Sequence, residues 1–256
     1  MKVLFLSDLH LGAKYINNPR EHEAAVCQFL ANEGADADHI YLLGDILDYW
    51  YEYRYVVPRG HVRFFGTLAR LADSGISITW LTGNHDIWIF DYLSQELGIE
   101  VLDTPYFTQT INGKKFILTH GDRIGRGSFG FNLISKLFRS KLCQTLFAAI
   151  HPRWTVPFAH RWSSNSRFSR EIADGSTSDQ ERFIIDEAQA LIANIPDADY
   201  LVMGHHHIMM NEKIGPANTQ LIVLGDWINH FSYAIFDGQC VKLCQFETAR
   251  EMFAKT

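Results

Sequence analysis

The sequence contains few cysteines, and none are spaced as metal ligands. The four cysteines, at positions 27, 143, 240 and 244, form no CxxC motif. This disfavours a thiolate zinc site and favours a reduced, cytosolic chain. No run of 18 apolar residues is present, so we expect no membrane span. The apolar run in the opening MKVLFLSDLH ends at Asp8, which makes it too short for a signal peptide.

Acidic residues are missing from one long segment. The chain has a formal net charge of −6, with 29 Asp and Glu against 23 Lys and Arg residues. The segment from Arg123 to Arg170 nevertheless holds nine of these cations and no anion. The acidic remainder argues against a generic nucleic-acid-binding protein, and the basic segment calls for a negatively charged partner at one place on the surface.

Strand-like apolar runs alternate with helix-like segments in the first 122 residues. Helical spacing is found in REHEAAVCQFLANEG and HVRFFGTLARLADSG, and each segment ends at a glycine. Two hairpins are predicted, one at Asn112-Gly113, a pair suited to a type I′ turn, and one at Asp237-Gly238. This alternation indicates an α/β fold, and the hairpins predict a mixed sheet.

The segment 123–196 departs from that alternation. Apolar residues recur at helical spacing in NLISKLFRSKLCQTLFAAI, which predicts an amphipathic helix over 132–150. A second helix is predicted to start at Ser178, with Glu181 three residues later as a capping box. We therefore predict a core made of 1–122 and 197–256, with 123–196 as a helical insertion between two core strands.

Five of the strand-like runs end in polar clusters, namely SDLH, GDILD, TGNHD, THGD and GHHH. Ligands of α/β proteins gather at the carboxyl ends of strands, so these clusters can converge on one site. The candidate ligands are Asp8, His10, Asp45, Asn84, His120, His205 and His207. Seven oxygen and nitrogen ligands are more than one metal ion can bind while keeping a coordination position open for substrate. They suit two ions that share Asp45, with Mn, Fe or Zn preferred.

The last cluster lies in YLVMGHHHIMM, Tyr200 to Met210. If an extended backbone continues past the glycine, alternation directs His205 and His207 to one side and His206 to the other. Taken alone, three histidines are equally compatible with a solvated loop or with core histidines. A buried Asp that closes a turn would likewise explain a lone DLH or GDILD.

The ordered set D-x-H, GD, GNHD, HGD and GHxH resembles the calcineurin-like metallophosphoesterases over nearly the whole core. The resemblance implies a four-layered α/β/β/α sandwich and two divalent metal ions. It assigns Asp8, His10, Asp45 and His207 to one ion, and Asp45, Asn84, His120 and His205 to the other. His85 matches the histidine that assists at the phosphate, and His206 matches a variable position with no ligand role.

Several stretches are similar to the UDP-2,3-diacylglucosamine hydrolases of lipid A synthesis: LSDLHLG, LLGDILDYW, the insertion after THGD, and VLGDW. This similarity implies a lipid-linked nucleotide sugar as substrate, with UMP and a diacylglucosamine 1-phosphate as products. It also implies substrate contacts by Asn84, His85 and His205, and by Asn165 and Arg167 in SSNSRFSR. The chain departs from that family in having His85 where Arg is common, and in lacking the acidic residue that some members place shortly after HGD.

The implied reaction is metal-assisted hydrolysis of a phosphate ester or diphosphate, with His85 as the proton donor. Alternatively, His85 only orients Asn84. Asp48 is expected to orient a metal-binding histidine, and Asp86 to orient a histidine or close a turn. The alternative enzymes are a cyclic-nucleotide phosphodiesterase or a nuclease on the same core. A non-enzymatic scaffold is disfavoured because no ligand position is missing.

Within the insertion, the apolar helix face and the cations predict a lid that covers acyl chains and holds a diphosphate or an anionic membrane surface. The chain would then act in the cytoplasm, peripherally on the inner face of the cytoplasmic membrane. The ordinary alternative is an apolar face packed on the core with solvated cations. A nucleic-acid partner is disfavoured because polar residues would be expected between the aromatic ones.

Overall fold

A computed structural model describes residues 1–124, 136–159 and 177–249. Its strands are β1 Val3–Leu6, β2 His39–Leu43, β3 Ser77–Leu81, β4 Glu100–Leu102, β5 Tyr106–Ile111, β6 Lys114–Thr119, β7 Tyr200–Met203, β8 Met209–Ile214, β9 Thr219–Leu224, β10 Ser232–Phe236 and β11 Val241–Gln245. Its helices include α1 Pro19–Glu33, α2 Val62–Asp73, α3 Tyr92–Leu97, α4 Lys141–Ala148 and α5 Thr177–Ile192, and residues 152–159 are also helical.

The strands form two sheets with mixed strand directions. The first has the order β11-β10-β1-β2-β3-β4 and the second β5-β6-β7-β9-β8. Strands β1 to β4 are parallel neighbours, as are β6, β7 and β9. The predicted hairpin turn at Asn112-Gly113 joins β5 to β6. Both residues have the positive φ of a type I′ turn, 49° and 76°.

Three apolar layers separate four layers of secondary structure. One contains Phe29 of α1 and Phe64 of α2 together with residues of the first sheet. A second, with Phe5 and Phe116, lies between the two sheets. The third joins the second sheet to α5 through residues such as Ile184. The predicted α/β/β/α sandwich is therefore confirmed.

Helix α5 lies inside the predicted insertion 123–196 but packs on the second sheet. Its buried Ile184 and Ala188 belong to the same apolar layer as Leu201 of β7. The helix starts at Thr177, one residue before the predicted Ser178. The division into core and insertion stays a prediction.

The amphipathic helix predicted over 132–150 lies partly outside the described residues, and its described part is not continuous. Residues 136–139 are helical, the backbone is extended at Ser140, and α4 follows. None of the α4 residues is buried, and Leu142 and Leu146 are 69% and 60% exposed. Among the described residues, no helix is both long and apolar enough to cross a bilayer.

Four partly buried residues between positions 136 and 159 nevertheless pack on the core, and two of them are Val156 and Ala159. Phe138 and Phe147 contact a group of buried side chains formed by Tyr49, Tyr51, Ile87 and Trp88. The Tyr51 hydroxyl also donates to the Gln144 carbonyl oxygen at 2.6 Å. We call these six apolar residues the aromatic cluster: Tyr49, Tyr51, Ile87, Trp88, Phe138 and Phe147.

Candidate metal centre

The carboxyl ends of β1, β2, β3, β6 and β7 meet at one edge of the sandwich. The first three strands are parallel neighbours in one sheet, and the last two are parallel neighbours in the other. Each of the five polar clusters follows one of these strands directly. The topology therefore brings together residues that are almost 200 positions apart in the chain. For example, the backbone N–H of His205 donates to Asp8 Oδ2 at 2.9 Å.

Asp8, His10 and His207 form the first group of potential metal ligands, with ligand atoms that all lie within 4.8 Å of one another. The Nε2 atoms of His207 and His10 lie 3.5 and 3.8 Å from Asp8 Oδ1. Asp8 and His10 are buried, and His207 is partly exposed. This group corresponds to three of the four ligands expected for one ion.

Asp45, His120 and His205 form the second group, again within 4.8 Å. His120 Nδ1 donates to the Leu43 carbonyl oxygen at 2.8 Å, which leaves Nε2, 3.3 Å from Asp45 Oδ2, as the ring nitrogen available to a metal. Asp45 Oδ2 also lies 3.8 Å from His10 Nε2. Asp45 therefore lies between the two groups, as expected of a shared carboxylate.

Several buried polar atoms at this edge make no hydrogen bond with the described residues. They are Asp8 Oδ1, His10 Nε2, Asn84 Oδ1 and His120 Nε2. A buried polar atom without a partner is costly, and such atoms need a specific explanation. All four belong to residues that the sequence predicts as ligands. A carboxylate, an amide oxygen and two imidazole nitrogens fit borderline divalent cations such as Mn²⁺ or Zn²⁺.

The electrostatics of the centre reflect this crowding of carboxylates and imidazoles. Burial lowers the pKa of His10, but the Asp48 and Asp8 carboxylates outweigh it and raise the pKa to about 9. Burial likewise lowers the pKa of His120, and Asp45 raises it to about 10. Without a cation the two imidazoles are thus protonated. Metal binding must displace those protons.

Five predicted ligands have left-handed backbone conformations. Asp8, His10, Asp45, His205 and His207 have φ between 45° and 70°. This region is uncommon for residues other than glycine, and such residues cluster at functional sites. The alternation argument for the GHHH run is therefore wrong in its premise, because β7 ends at Met203 and the chain turns. His205 and His207 each belong to a group of potential ligands and His206 to none, and the absence of a ligand role for His206 stays a prediction.

Two glycines in the motifs are required by the close approach of the loops. A side-chain carbon added at Gly83 would collide with the Asp45 carboxylate. One added at Gly204 would lie 2.5 Å from both Asp8 Oδ2 and Ser7 Oγ. Only glycine permits these contacts between loops. Gly83 brings together two loops of the first sheet, and Gly204 brings a loop of the second sheet against one of the first.

His85 lies beside both groups of ligands. It forms a third group of possible ligands with His10 and Asp45, and its side chain is 16% exposed. Its backbone N–H donates to Asp45 Oδ1 at 2.8 Å, and its Nδ1 donates to the Asp48 carbonyl oxygen at 3.1 Å. Nε2 is therefore the ring nitrogen that remains for substrate or metal.

Asp48 and Asp86 have different surroundings. Asp48 Oδ1 lies 3.5 Å from Nδ1 of His10 and 3.5 Å from Nδ1 of His85, which places it to orient both rings. Asp86 accepts the backbone N–H groups of Gly83 and Ile46, at 2.6 and 2.9 Å. Of the two expectations for Asp86, these contacts favour turn closure. Burial raises the pKa of Asp86 to about 6, with Asp45 nearby adding to the effect.

Sequence reasoning missed Asp226. This residue follows β9, which is parallel to β7, and it is fully buried. Its Oδ2 accepts from His207 Nδ1 at 3.2 Å, and its Oδ1 accepts three successive backbone N–H groups, those of Ile228, Asn229 and His230. Burial would raise the pKa of Asp226, but the contacts with His207 and His230 hold it well below its ordinary range. The signal was present in VLGDW, a sixth apolar run that ends in Gly-Asp.

The predicted head-group contacts Asn165 and Arg167 lie outside the described residues. The remaining predicted site residues all lie in the described part of the chain. The structure brings Asp8, His10, Asp45, His85, His120, His205 and His207 into the three groups described above. Asn84 stands immediately before His85, and its side-chain oxygen is buried.

Comparison with known proteins agrees with this arrangement. Residues 1–209 match the family described as calcineurin-like phosphoesterase. The chain is 38% identical to the UDP-2,3-diacylglucosamine hydrolase of Porphyromonas gingivalis, over 96% of this chain and 98% of the relative. It is 27% identical to the protein of the same name from Nitrosococcus oceani, over 89% and 88%. Among solved structures, the phosphoesterase Yfce from E. coli is 18% identical with a TM-score of 0.46, over 96% of this chain and 93% of that one.

Proposed function

The chain belongs to the calcineurin-like phosphoesterase family, and we propose that it hydrolyses the diphosphate of UDP-2,3-diacylglucosamine. The products would be UMP and a diacylglucosamine 1-phosphate. The main support for this substrate is the 38% identity, over almost the full length of both chains, to a relative named for that activity. The geometry supports the reaction class, because two neighbouring ligand groups, with Asp45 of one lying 3.8 Å from His10 of the other, suit a two-metal hydrolase.

We propose the following ligand sets for two divalent ions, with Mn²⁺ as the preferred metal. One ion would be held by Asp8, His10, Asp45 and His207, and the other by Asp45, Asn84, His120 and His205. The buried atoms without hydrogen-bond partners support both sets, because at least two of them belong to each. When bound, such ions lower the pKa of a water molecule and offset charge on the phosphoryl oxygens.

His85 is proposed to act on the substrate. Its Nδ1 is engaged by the Asp48 carbonyl oxygen, so its Nε2 can carry a proton toward the bridging or a terminal phosphate oxygen. The Asp48 carboxylate, 3.5 Å from His85 Nδ1, would help to orient the ring. Asn84 and His205, next to the second ion, are proposed to contact the phosphate as well.

The insertion is proposed to bind the acyl chains as a lid. Support comes from α4, whose leucines are exposed, and from Trp154 and Phe158, which are exposed further along the same segment. Such apolar side chains beside a hydrolytic site fit a lipid substrate better than a cyclic nucleotide or a nucleic acid. Asn165 and Arg167 remain proposed contacts with the sugar or diphosphate.

The same surface suggests where the enzyme works. Exposed apolar side chains with flanking cations bind anionic bilayers at the level of the head groups. We therefore propose peripheral association with the inner face of the cytoplasmic membrane, where a lipid-linked substrate would be presented. Nucleic acid is not a proposed partner.

The test is an assay of purified protein loaded with Mn²⁺ on four compounds: UDP-2,3-diacylglucosamine, UDP-N-acetylglucosamine, cyclic AMP and a chromogenic phosphodiester. We expect UMP release from the diacylated compound that disappears with EDTA and far exceeds release from the compound without acyl chains. Faster turnover of cyclic AMP than of the diacylated compound would reject the lipid substrate. Inactivity on every compound would reject the proposal that the protein is a phosphoesterase.

A further inference from the structure

One end of the loop that carries Asn84 and His85 is held by the insertion. Trp88, three residues after His85, belongs to the aromatic cluster, and its Nε1 donates to the Phe138 carbonyl oxygen at 2.8 Å. The Trp88 ring also packs against the rings of Phe138 and Phe147, at centroid distances of 5.6 and 4.5 Å. The insertion therefore holds this end of the loop together with the core, where the Tyr51 ring lies 5.2 Å from the Trp88 ring and the Glu52 N–H donates to the Trp88 carbonyl oxygen.

The other end of the loop is held by the next residue of the insertion. Arg139 Nη2 donates to the Gly83 carbonyl oxygen at 3.4 Å, and Arg139 Nε pairs with Asp103 Oδ1 at 3.2 Å. The same guanidinium lies 3.9 Å from Asp122 Oδ2. One planar side chain thereby joins the insertion to the start of the loop and to the residues that follow β4 and β6.

The Gly83 carbonyl belongs to the peptide unit between Gly83 and Asn84. Its orientation therefore helps to set the direction of the Asn84 backbone and side chain. On the core side, the loop is held by the hydrogen bonds from Gly83 to Asp86 and from His85 to Asp45. The insertion adds to these bonds its contacts with Trp88 and the Gly83 carbonyl oxygen.

We propose that the docked insertion positions the metal-binding and catalytic loop 83–88, with Arg139 and Trp88 as the positioning residues. The position of the insertion on the core thereby affects the geometry of Asn84 and His85. A substrate that holds the insertion in place would then also hold these two residues in the arrangement needed for metal binding and catalysis. This rests on the proposed function only in that Asn84 holds a metal ion and His85 acts at phosphate. A lid that merely covered the acyl chains would need no contact with this loop.

The test measures Mn²⁺ affinity by calorimetric titration without substrate, and kcat and KM on a chromogenic phosphodiester that has no acyl chains. We expect Arg139→Gln to weaken Mn²⁺ binding and to lower kcat by about 10-fold each, with little change in KM, as for residues that orient metal ligands. Trp88→Phe keeps an aromatic ring but loses the N–H donor, and should act in the same direction. Arg182→Gln is the matched control, because Arg182 is an exposed arginine on α5.

Wild-type Mn²⁺ affinity and diester kinetics in both folded variants would overturn the proposal, even if KM for the diacylated nucleotide sugar rose. The insertion would then serve the substrate alone. Circular dichroism identifies variants that fail to fold, and Trp88→Phe keeps the test valid if Arg139→Gln is one of them. Neither readout uses the nucleotide sugar, so a wrong substrate assignment would leave the result interpretable.

Discussion

The Asp226 carboxylate holds the ring of His207: Asp226 Oδ2 lies 3.2 Å from His207 Nδ1, and Asp226 is fully buried. A carboxylate that accepts the Nδ1 proton of a histidine fixes the tautomer that presents Nε2 to a metal. The backbone amides of residues 228–230 fix Asp226 in turn. The loop after β9 therefore orients Asp226, and Asp226 in turn orients His207, which is a proposed metal ligand.

Asp226→Asn should lower metal affinity by about 10–100-fold. The amide nitrogen would face His207 Nδ1 and favour the tautomer with hydrogen on Nε2, the atom 3.5 Å from Asp8. Calorimetric titration with Mn²⁺ measures the effect. Asp186→Asn, at an exposed aspartate on α5, is the control and should bind metal normally. Equal affinities for the two variants would show that Asp226 does not orient His207.

His207→Ala should lose bound metal and nearly all turnover, whereas His206→Ala should do neither. The two residues are adjacent, but only His207 has its ring nitrogen among the potential ligand groups. Metal content after gel filtration, measured by plasma emission spectrometry, separates the two. Loss of metal in His206→Ala with normal content in His205→Ala would contradict the ligand sets.

His85→Ala should keep near-normal metal content while the rate on a phosphodiester falls by about 10²–10⁴. The reason is that both ion sites retain their proposed ligands, while the proton donor is gone. Rate and metal content are measured on the same preparation. Because His85 also lies within ligand distance of His10 and Asp45, parallel loss of metal and rate would instead make it a ligand.

Leu142→Ser combined with Leu146→Ser should raise KM for the diacylated nucleotide sugar several-fold and leave the small diester unaffected. Full burial of a leucine side chain contributes about 1.5–3 kcal/mol. Both side chains are exposed here, and burying a fraction of each against acyl chains is enough for a several-fold effect on KM. Val62→Ser, at a valine that is 79% exposed on α2, is the control and should change neither substrate. An unchanged KM for the diacylated nucleotide sugar would show that α4 does not bind the acyl chains.

His22 should make the folded protein sensitive to acid. Burial lowers its pKa from 6.5 to about 4, so between those values the unfolded chain binds a proton that the folded chain does not. Stability is therefore lost as pH falls from 6.5 toward 4, by about 3 kcal/mol from this group. Urea unfolding in EDTA at pH 7 and pH 4.5 should show a smaller acid loss for His22→Gln than for wild type. His151→Gln, at an exposed histidine, should show the wild-type loss.

Local signals in the sequence predict a mixed α/β fold and the convergence of the candidate ligands, whereas the four-layered sandwich is implied by the family resemblance. Apolar runs with terminal carboxylates and histidines define the strand ends, and parallel neighbours place those ends together. The type I′ turn at Asn112-Gly113 is equally local, since it depends on two adjacent residues.

Features that depend on long-range contacts were not predicted. The helical spacing of apolar residues over 132–150 predicts one continuous helix, and it gives no sign of the break at Ser140. It also cannot separate Phe138 and Phe147, which pack on the core, from Leu142 and Leu146, which do not. Asp226 acquires its role only when β9 is placed beside β7, and VLGDW alone does not indicate which histidine it meets.

Each half of the metal centre takes side chains from both sheets. Asp8 and His10 follow a strand of the first sheet and His207 a strand of the second, whereas Asp45 follows the first and His120 the second. A bound ion would consequently connect the two sheets of the sandwich. It would add about 2.7 kcal/mol to the free energy of unfolding when the free metal concentration is 100 times the dissociation constant. The supply of metal in the surroundings would then govern how long each folded molecule survives, and not only how fast it turns over.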